Sequence, residues 1–118
     1  VPNKFITEDS GDKEKFSSGA RRDTQNEKIR YDLIPPIALK RLAGLYQRGA
    51  DKYGEDNYQK GMPYTRVYAS LFRHLMAWRE KADDGEDHLA AIAWNAFALI
   101  FYEDMISKGL LPVEFDDR

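Results

Sequence analysis

The chain has no cysteine, which excludes a disulfide framework, a thiolate nucleophile and a zinc–thiolate site. It has two histidines, His74 and His88, so a multi-histidine metal centre is not expected. No GxxxxGK[ST] phosphate loop and no GxGxxG fingerprint occurs, and no serine sits in a recognisable nucleophile motif. Hydrolysis by such a chain would have to be metal-assisted attack by water. Apolar runs stay short of the roughly 18 residues of a membrane span, and the N-terminus lacks the apolar core of a signal peptide. A cytoplasmic protein without a membrane partner is therefore expected. Basic excess is missing too: the net charge is −2, which argues against a duplex nucleic-acid partner.

Strand-like alternation is scarce and no internal repeat is visible. Hydrophobic residues make up 42% and charged residues 32% of the 118 positions, a balance that suits one helical domain with a modest core. Residues 1–27 carry few large apolar side chains beyond Phe5, Ile6 and Phe16. Such a segment cannot offset its ordering entropy, so a flexible N-terminal arm is expected. Within it, Ser17-Ser18-Gly19-Ala20-Arg21-Arg22 combines small residues with two guanidinium groups. That piece either wraps a phosphate or is simply part of a charged tail.

Three long helices are predicted across residues 28–109. Pro35-Pro36 opens the first; Leu39, Leu42, Ala43, Tyr46, Ala50 and Tyr53 recur along it at helical spacing, and Gly54 ends it. Gly61 and Pro63 mark a loop. The second helix starts at Thr65, turns Val67, Tyr68, Leu71, Phe72, Leu75 and Trp78 inward, and ends near Lys81. Asp83 to Asp87 supplies a turn and an acidic first turn for the third helix, which stops at Gly109. Residues 110–118 form a short acidic tail. So many aromatic side chains on three helices leave apolar surface over, so a homo-oligomer is expected to complete the bundle, with tetramers and hexamers both compatible.

Polar groups interrupt this apolar pattern at defined places. Asp84, His88, Ala91 and Asn95 are spaced to share one helix face, among Leu89, Ile92, Trp94 and Phe97. An unpaired buried polar group costs about 1–3 kcal/mol, so the imidazole and the amide are either satisfied core residues or parts of a site. Asp84, Glu86 and Asp87 bunch as oxygen ligands for Mg²⁺ or Mn²⁺ would, or as helix-capping acids. Arg73 shares a stripe with Arg66, Ser70 and Ala77 that could take an anion, and His74 stands beside it. Lys52 and Asn57 flank the first helix end, where an ammonium could meet phosphate and Tyr53 could stack on a base. Asn95, next to Trp94, has an amide suited to a base edge.

These residues resemble a known family. Lys28-Ile29-Arg30-Tyr31-Asp32-Leu33-Ile34-Pro35-Pro36, Gly49 to Gly54 with Asn57, Arg73-His74-Leu75 with Trp78, His88-Leu89-Ala90 and Trp94-Asn95 are similar to the phage-associated dATP/dGTP diphosphohydrolase N-terminal domain. That family in turn is similar to the MazG-like all-α nucleotide pyrophosphohydrolases. The upstream Gly19 to Asp23 also looks like the family's N-terminal segment.

The resemblance implies a MazG-like bundle that cleaves a purine deoxynucleoside triphosphate to monophosphate and pyrophosphate with Mg²⁺ or Mn²⁺. It implies a metal on Asp84, Glu86 and Asp87, and His74 and His88 positioning phosphate or water. Arg21, Arg22, Arg30, Lys52 and Arg73 would face phosphate, and Tyr53, Asn57, Trp94 and Asn95 would address the nucleoside. The ExxE pair of MazG-like enzymes is missing, and an ExxD at Glu80–Asp83 lies at a helix end. That departure opens a second expectation on the same fold, a non-hydrolytic sponge that sequesters a nucleotide immune signal.

Overall fold

The computed structural model describes residues 13–23 and 28–118. The expected arm therefore lies partly outside the described residues, at 1–12, which include Phe5 and Ile6, and at 24–27. The described chain divides into two compact units, with the boundary between Leu33 and Ile34.

The first unit contains two strands that no residue pattern predicts. Strands β1 (Lys13–Lys15) and β2 (Arg21–Asp23) pair antiparallel, with Lys15 opposite Arg21. Three charged residues apiece carry no apolar alternation, so the pattern that normally reveals a strand is missing. The turn makes the pairing instead: Gly19 N–H donates to Phe16 O, and Phe16 N–H donates to Ala20 O. Downstream, a 3₁₀ turn spans Tyr31–Leu33, and Arg30 grips Asp32 with two hydrogen bonds of 2.7 and 2.8 Å.

The second unit is helical, as expected. Helix α1 (Pro36–Tyr53) begins on the proline pair and is closed by Gly54. Helix α2 covers Tyr64–Arg79 and α3 covers His88–Ser107. The start of α2 packs on the end of α3 through Tyr64, Val67, Ala98 and Tyr102. Toward the other end, His74 of α2 meets His88 of α3. Helices α2 and α3 are therefore antiparallel, joined by residues 80–87. Helix α1 runs along α3 in the same direction, with Arg41 against Asp87 and Tyr46 against Trp94.

Helix ends show how loops are fixed. Helix α3 ends in a Schellman motif: Leu110 N–H donates to Met105 O, with Gly109 at φ 70°. Helix α2 ends the same way, Ala82 N–H donating to Ala77 O, but a lysine, Lys81 at φ 57°, holds the left-handed position. The start of α2 has no cap of its own, because Pro63 occupies the N-cap. Asp117, from the far end of the chain, accepts from Thr65 N–H at 2.9 Å and from its hydroxyl at 2.6 Å. The tail reaches this place over Gly61, where a Cβ would come within 2.7 Å of the Phe115 ring. The tail is thus the missing cap of α2.

Two expectations about helix faces change. Leu39 and Tyr53 of α1 and Tyr68, Phe72, Leu75 and Trp78 of α2 are exposed in the single chain. Helix α3 is also more apolar than the sequence suggested: it is long and apolar enough to cross a membrane by length and composition, with mean hydropathy 1.4 over 18 residues. Between its start and Phe101 its polar residues, His88 and Asn95, lie on the buried side, while Leu89, Phe97 and Ile100 stay uncovered; Glu103 and Asp104 follow near its end. A helix that is apolar all round calls for cover on every side.

Candidate functional site

Asp87 is the hinge of the site. It is the N-cap of α3, accepting from Ala90 N–H at 3.1 Å. Its two oxygens also accept from Arg41 Nε at 2.8 Å and Nη2 at 2.6 Å. The Arg41 guanidinium, opposed only in part by desolvation, holds the Asp87 carboxyl down to about 2. Both oxygens are committed to structure. The acids of residues 83–87 precede α3 instead of forming its first turn, so Asp84 does not share the helix face with His88.

Asp84 nonetheless reaches His88. Its Oδ1 accepts from Glu86 N–H at 3.0 Å, and both its oxygens lie 2.9 and 3.0 Å from His88 Nε2. The Glu86 amide, followed by His88, draws the Asp84 carboxyl below its ordinary range. An ionised carboxylate only accepts, so His88 Nε2 carries the proton. The other nitrogen, His88 Nδ1, lies 2.9 Å from Nδ1 of His74 and 3.9 Å from Glu86 Oε2. His88 is buried and His74 partly so. Burial, more than any neighbouring charge, lowers the His74 imidazole below its usual value, which favours the neutral ring.

His74, Glu86 and His88 each offer one ligand atom, all within 4.8 Å of one another. Both histidines therefore enter one candidate metal group, against the expectation that two could not make a centre. Two imidazoles and a carboxylate are a donor set that fits a divalent transition ion.

The group borders two depressions. His74 and Glu86 stand on the wall of a cavity of about 470 Å³ that also meets Tyr46, Tyr58, Trp94 and Asn95. Tyr46, Tyr58 and Trp94 contact one another with ring centroids 5.6–6.3 Å apart. Tyr102 OH donates to Tyr58 O at 2.7 Å and thereby fixes the loop that carries Tyr58. Asn95 donates to Ala91 O at 2.8 Å; its Oδ1 has no hydrogen-bond partner among the described residues. Glu86 and His88 also border a shallower depression of about 460 Å³, together with Arg41, Lys81 and Trp78.

The expected site residues sort as follows. Lys52, Tyr53, Asn57, Trp94 and Asn95 come together in the first cavity, and Lys52 Nζ stands 5.1 Å over the Tyr53 ring. Arg73 immediately precedes His74 on α2 but is not part of either wall. Arg21, Arg22 and Arg30 belong to the first unit, where Arg30 is engaged by Asp32. Of the expected carboxylate ligands, Glu86 joins the histidines, Asp84 stands behind His88, and Asp87 pairs with Arg41. Sequence reasoning missed Arg48 and the Tyr46–Tyr58 pair on the cavity wall. Spacing places Tyr46 in the core stripe of its helix, and Tyr58 sits in a single 3₁₀ turn, Asn57–Lys60, with no period to flag it.

Fold and site together define an all-α protein with a metal-competent His–Glu–His group on the rim of an aromatic-walled cavity. The chain belongs to the family described as dATP/dGTP diphosphohydrolase, N-terminal, which matches residues 18–110. No curated protein and no solved structure matches it. Membership fits a nucleotide-directed hydrolase, and the His74–Glu86–His88 group fits a metal-dependent one.

Proposed function

We infer that the protein hydrolyses a purine deoxynucleoside triphosphate to its monophosphate and pyrophosphate with a divalent metal. The observation that carries this is the juxtaposition of His74 and Glu86 with an aromatic cavity in a chain of this family. Tyr53 and Trp94 offer faces for a base. Asn95 offers its free Oδ1 to an exocyclic amino group, and Lys52 and Arg48 offer charge to phosphate. His74, Glu86 and His88 would hold the ion, which supplies Lewis acidity toward phosphate oxygen. Water adds to the α-phosphorus, the bond from that atom to the bridging oxygen breaks, pyrophosphate departs, and the proton of the water passes to solvent.

The resemblance to a phage-associated family supports a phage-encoded protein acting on the host's cytoplasmic nucleotide pool. The uncovered apolar faces of α2 and α3 support a homo-oligomer, which sedimentation velocity reads directly.

The test is incubation with each dNTP and NTP and with nucleotide signals, in Mn²⁺, Mg²⁺ or EDTA, followed by denaturation and chromatography with mass detection. Conversion of dATP or dGTP to monophosphate, abolished by EDTA and by His74→Ala, is expected. A second reading, sequestration without hydrolysis, rests on Asp87: its engagement by Arg41 leaves the acidic set one carboxylate short. Depletion of one intact nucleotide in EDTA, recovered unaltered on denaturation, would replace the first reading with the second.

A further inference from the structure

The Nδ1 atoms of His74 and His88 face each other at 2.9 Å, and only one of them can carry a proton in that contact. His88 cannot be that one while its ring is neutral. Its Nε2 has both Asp84 oxygens at 2.9 and 3.0 Å, and Asp84 Oδ1 is already an acceptor for Glu86 N–H. With the His88 proton fixed on Nε2, its Nδ1 presents a lone pair. In the metal-free protein His74 then donates Nδ1–H to His88 Nδ1.

Two ligands at right angles, each about 2.1 Å from an ion, are about 3.0 Å apart. The two Nδ1 atoms already have that separation. Glu86 Oε2, 3.9 Å from His88 Nδ1, supplies the third donor. Hard Mg²⁺ prefers oxygen ligands, whereas imidazole suits the later first-row ions.

We propose that Asp84 is a positioning residue, not a ligand: by holding the Nε2 proton of His88 it makes His74 Nδ1, His88 Nδ1 and Glu86 a nitrogen-rich site for Co²⁺ or Zn²⁺ in preference to Mg²⁺. Loading the site moves His74 to its other tautomer. The Nδ1 proton leaves to solvent and a solvent proton is taken up on Nε2, with no net change in charge on the ring. The proposal rests on the assignment of these three residues as the metal group, and it makes the ion's identity a consequence of the Asp84–His88 hydrogen bond.

Long-range ¹H–¹⁵N spectra of the whole chain test it without any substitution. Metal-free protein should show His88 protonated at Nε2 and His74 at Nδ1. Zn²⁺ should leave both rings protonated at Nε2, with both Nδ1 signals moved. Co²⁺ should give a visible spectrum of nitrogen ligation that a large excess of Mg²⁺ leaves in place. Asp84→Asn should weaken Co²⁺ binding about 10–100-fold, while His74→Ala removes the spectrum.

A His88 proton on Nδ1 in the metal-free protein, unmoved histidine signals in Zn²⁺, or displacement of Co²⁺ by equimolar Mg²⁺ would each overturn the proposal. Failure of the enzymatic reading looks different, because these spectra would appear as expected while every dNTP stayed intact. Conversely, dNTP cleavage supported by Mg²⁺ alone, with unmoved histidine signals, would sink this proposal and leave the hydrolase standing.

Discussion

Arg41 and Asp87 lie 46 residues apart in the chain and make a two-pronged ion pair, with contacts of 2.8 and 2.6 Å, that fastens α1 to the last residue of the acidic turn before α3. The same carboxylate caps α3, so one side chain sets the position of His88 and, through residues 84–87, of Glu86.

The pair makes the fold acid-sensitive. Asp87 is held down to about 2 by Arg41, against an ordinary 3.8. A depressed carboxyl stabilises the folded state above pH ~4, and that contribution is lost as pH falls from about 4 through about 2. The side chains are 47% and 32% exposed, so screening reduces the effect to about 1 kcal/mol. Asn caps a helix as well as Asp does, so Asp87→Asn keeps the cap and loses only the pair. Urea unfolding at pH 7 should show that loss of about 1 kcal/mol, and the difference from the parent should shrink toward pH 2. A variant with undiminished acid sensitivity would mean that another carboxylate dominates.

Tyr102 links the core to the cavity wall. It is fully buried, and its hydroxyl donates to Tyr58 O at 2.7 Å; burial raises its ionisation to about 12. Tyr102→Phe keeps the ring but leaves the Tyr58 carbonyl with only the Gly61 N–H, at 3.2 Å, at a cost of about 0.5–1.5 kcal/mol. Thermal unfolding should shift down accordingly. Amide exchange around Asn57–Lys60 should rise, because the loop loses its anchor. Unchanged exchange there would show that Tyr46 and Trp94 hold Tyr58 by themselves.

Lys81 occupies the position that Gly109 occupies in α3, at φ 57° against 70°. A side chain in the left-handed region costs about 1–2 kcal/mol. Lys81→Gly should therefore raise stability, by about 1 kcal/mol once glycine's extra unfolded-state entropy is deducted. Lys81 also borders the depression beside Glu86 and His88. If it is kept there for phosphate, the stabilised variant should need more nucleotide for half-saturation than the parent. A melting temperature that does not rise would mean the turn is held by something other than backbone preference.

Much of the helical frame was legible because punctuation is local. Pro35-Pro36, Gly54 and Gly109 marked ends that the structure keeps. The polar stripe His88, Ala91 and Asn95 was legible from spacing and is buried as a unit. What the sequence could not carry were pairings between distant elements. The meeting of His74 with His88 depends on how α2 folds back on α3, and the capping of Thr65 by Asp117 joins residues 52 positions apart. The role of Asp87 was hidden for the same reason, since Arg41 on another helix claims it. Inward faces of α1 and α2 were overestimated because helical period reports that a stripe needs cover, not which surface provides it.

Two aromatic residues on the cavity wall should separate binding from folding. Tyr53 is 61% exposed at the end of α1, and Lys52 is its one ring contact among the described residues. Trp94 is half-buried and packed on Tyr46 and Tyr58, and it lies against the core of Val67 and Tyr102. Removing a base-stacking ring costs about 1–3 kcal/mol of binding, while removing a packed aromatic costs about 3–5 kcal/mol of stability when fully buried. Tyr53→Ala should therefore raise the dissociation constant for a purine nucleotide about 10-fold or more with the melting temperature unchanged. Trp94→Ala should lower both affinity and stability. Titration of the parent with nucleotide should quench Trp94 fluorescence, and Trp78, outside the aromatic cavity, can be replaced by Phe to isolate that signal. If Tyr53→Ala binds like the parent, the base does not lie along α1, and the nucleotide must enter from the Arg41–Lys81 side.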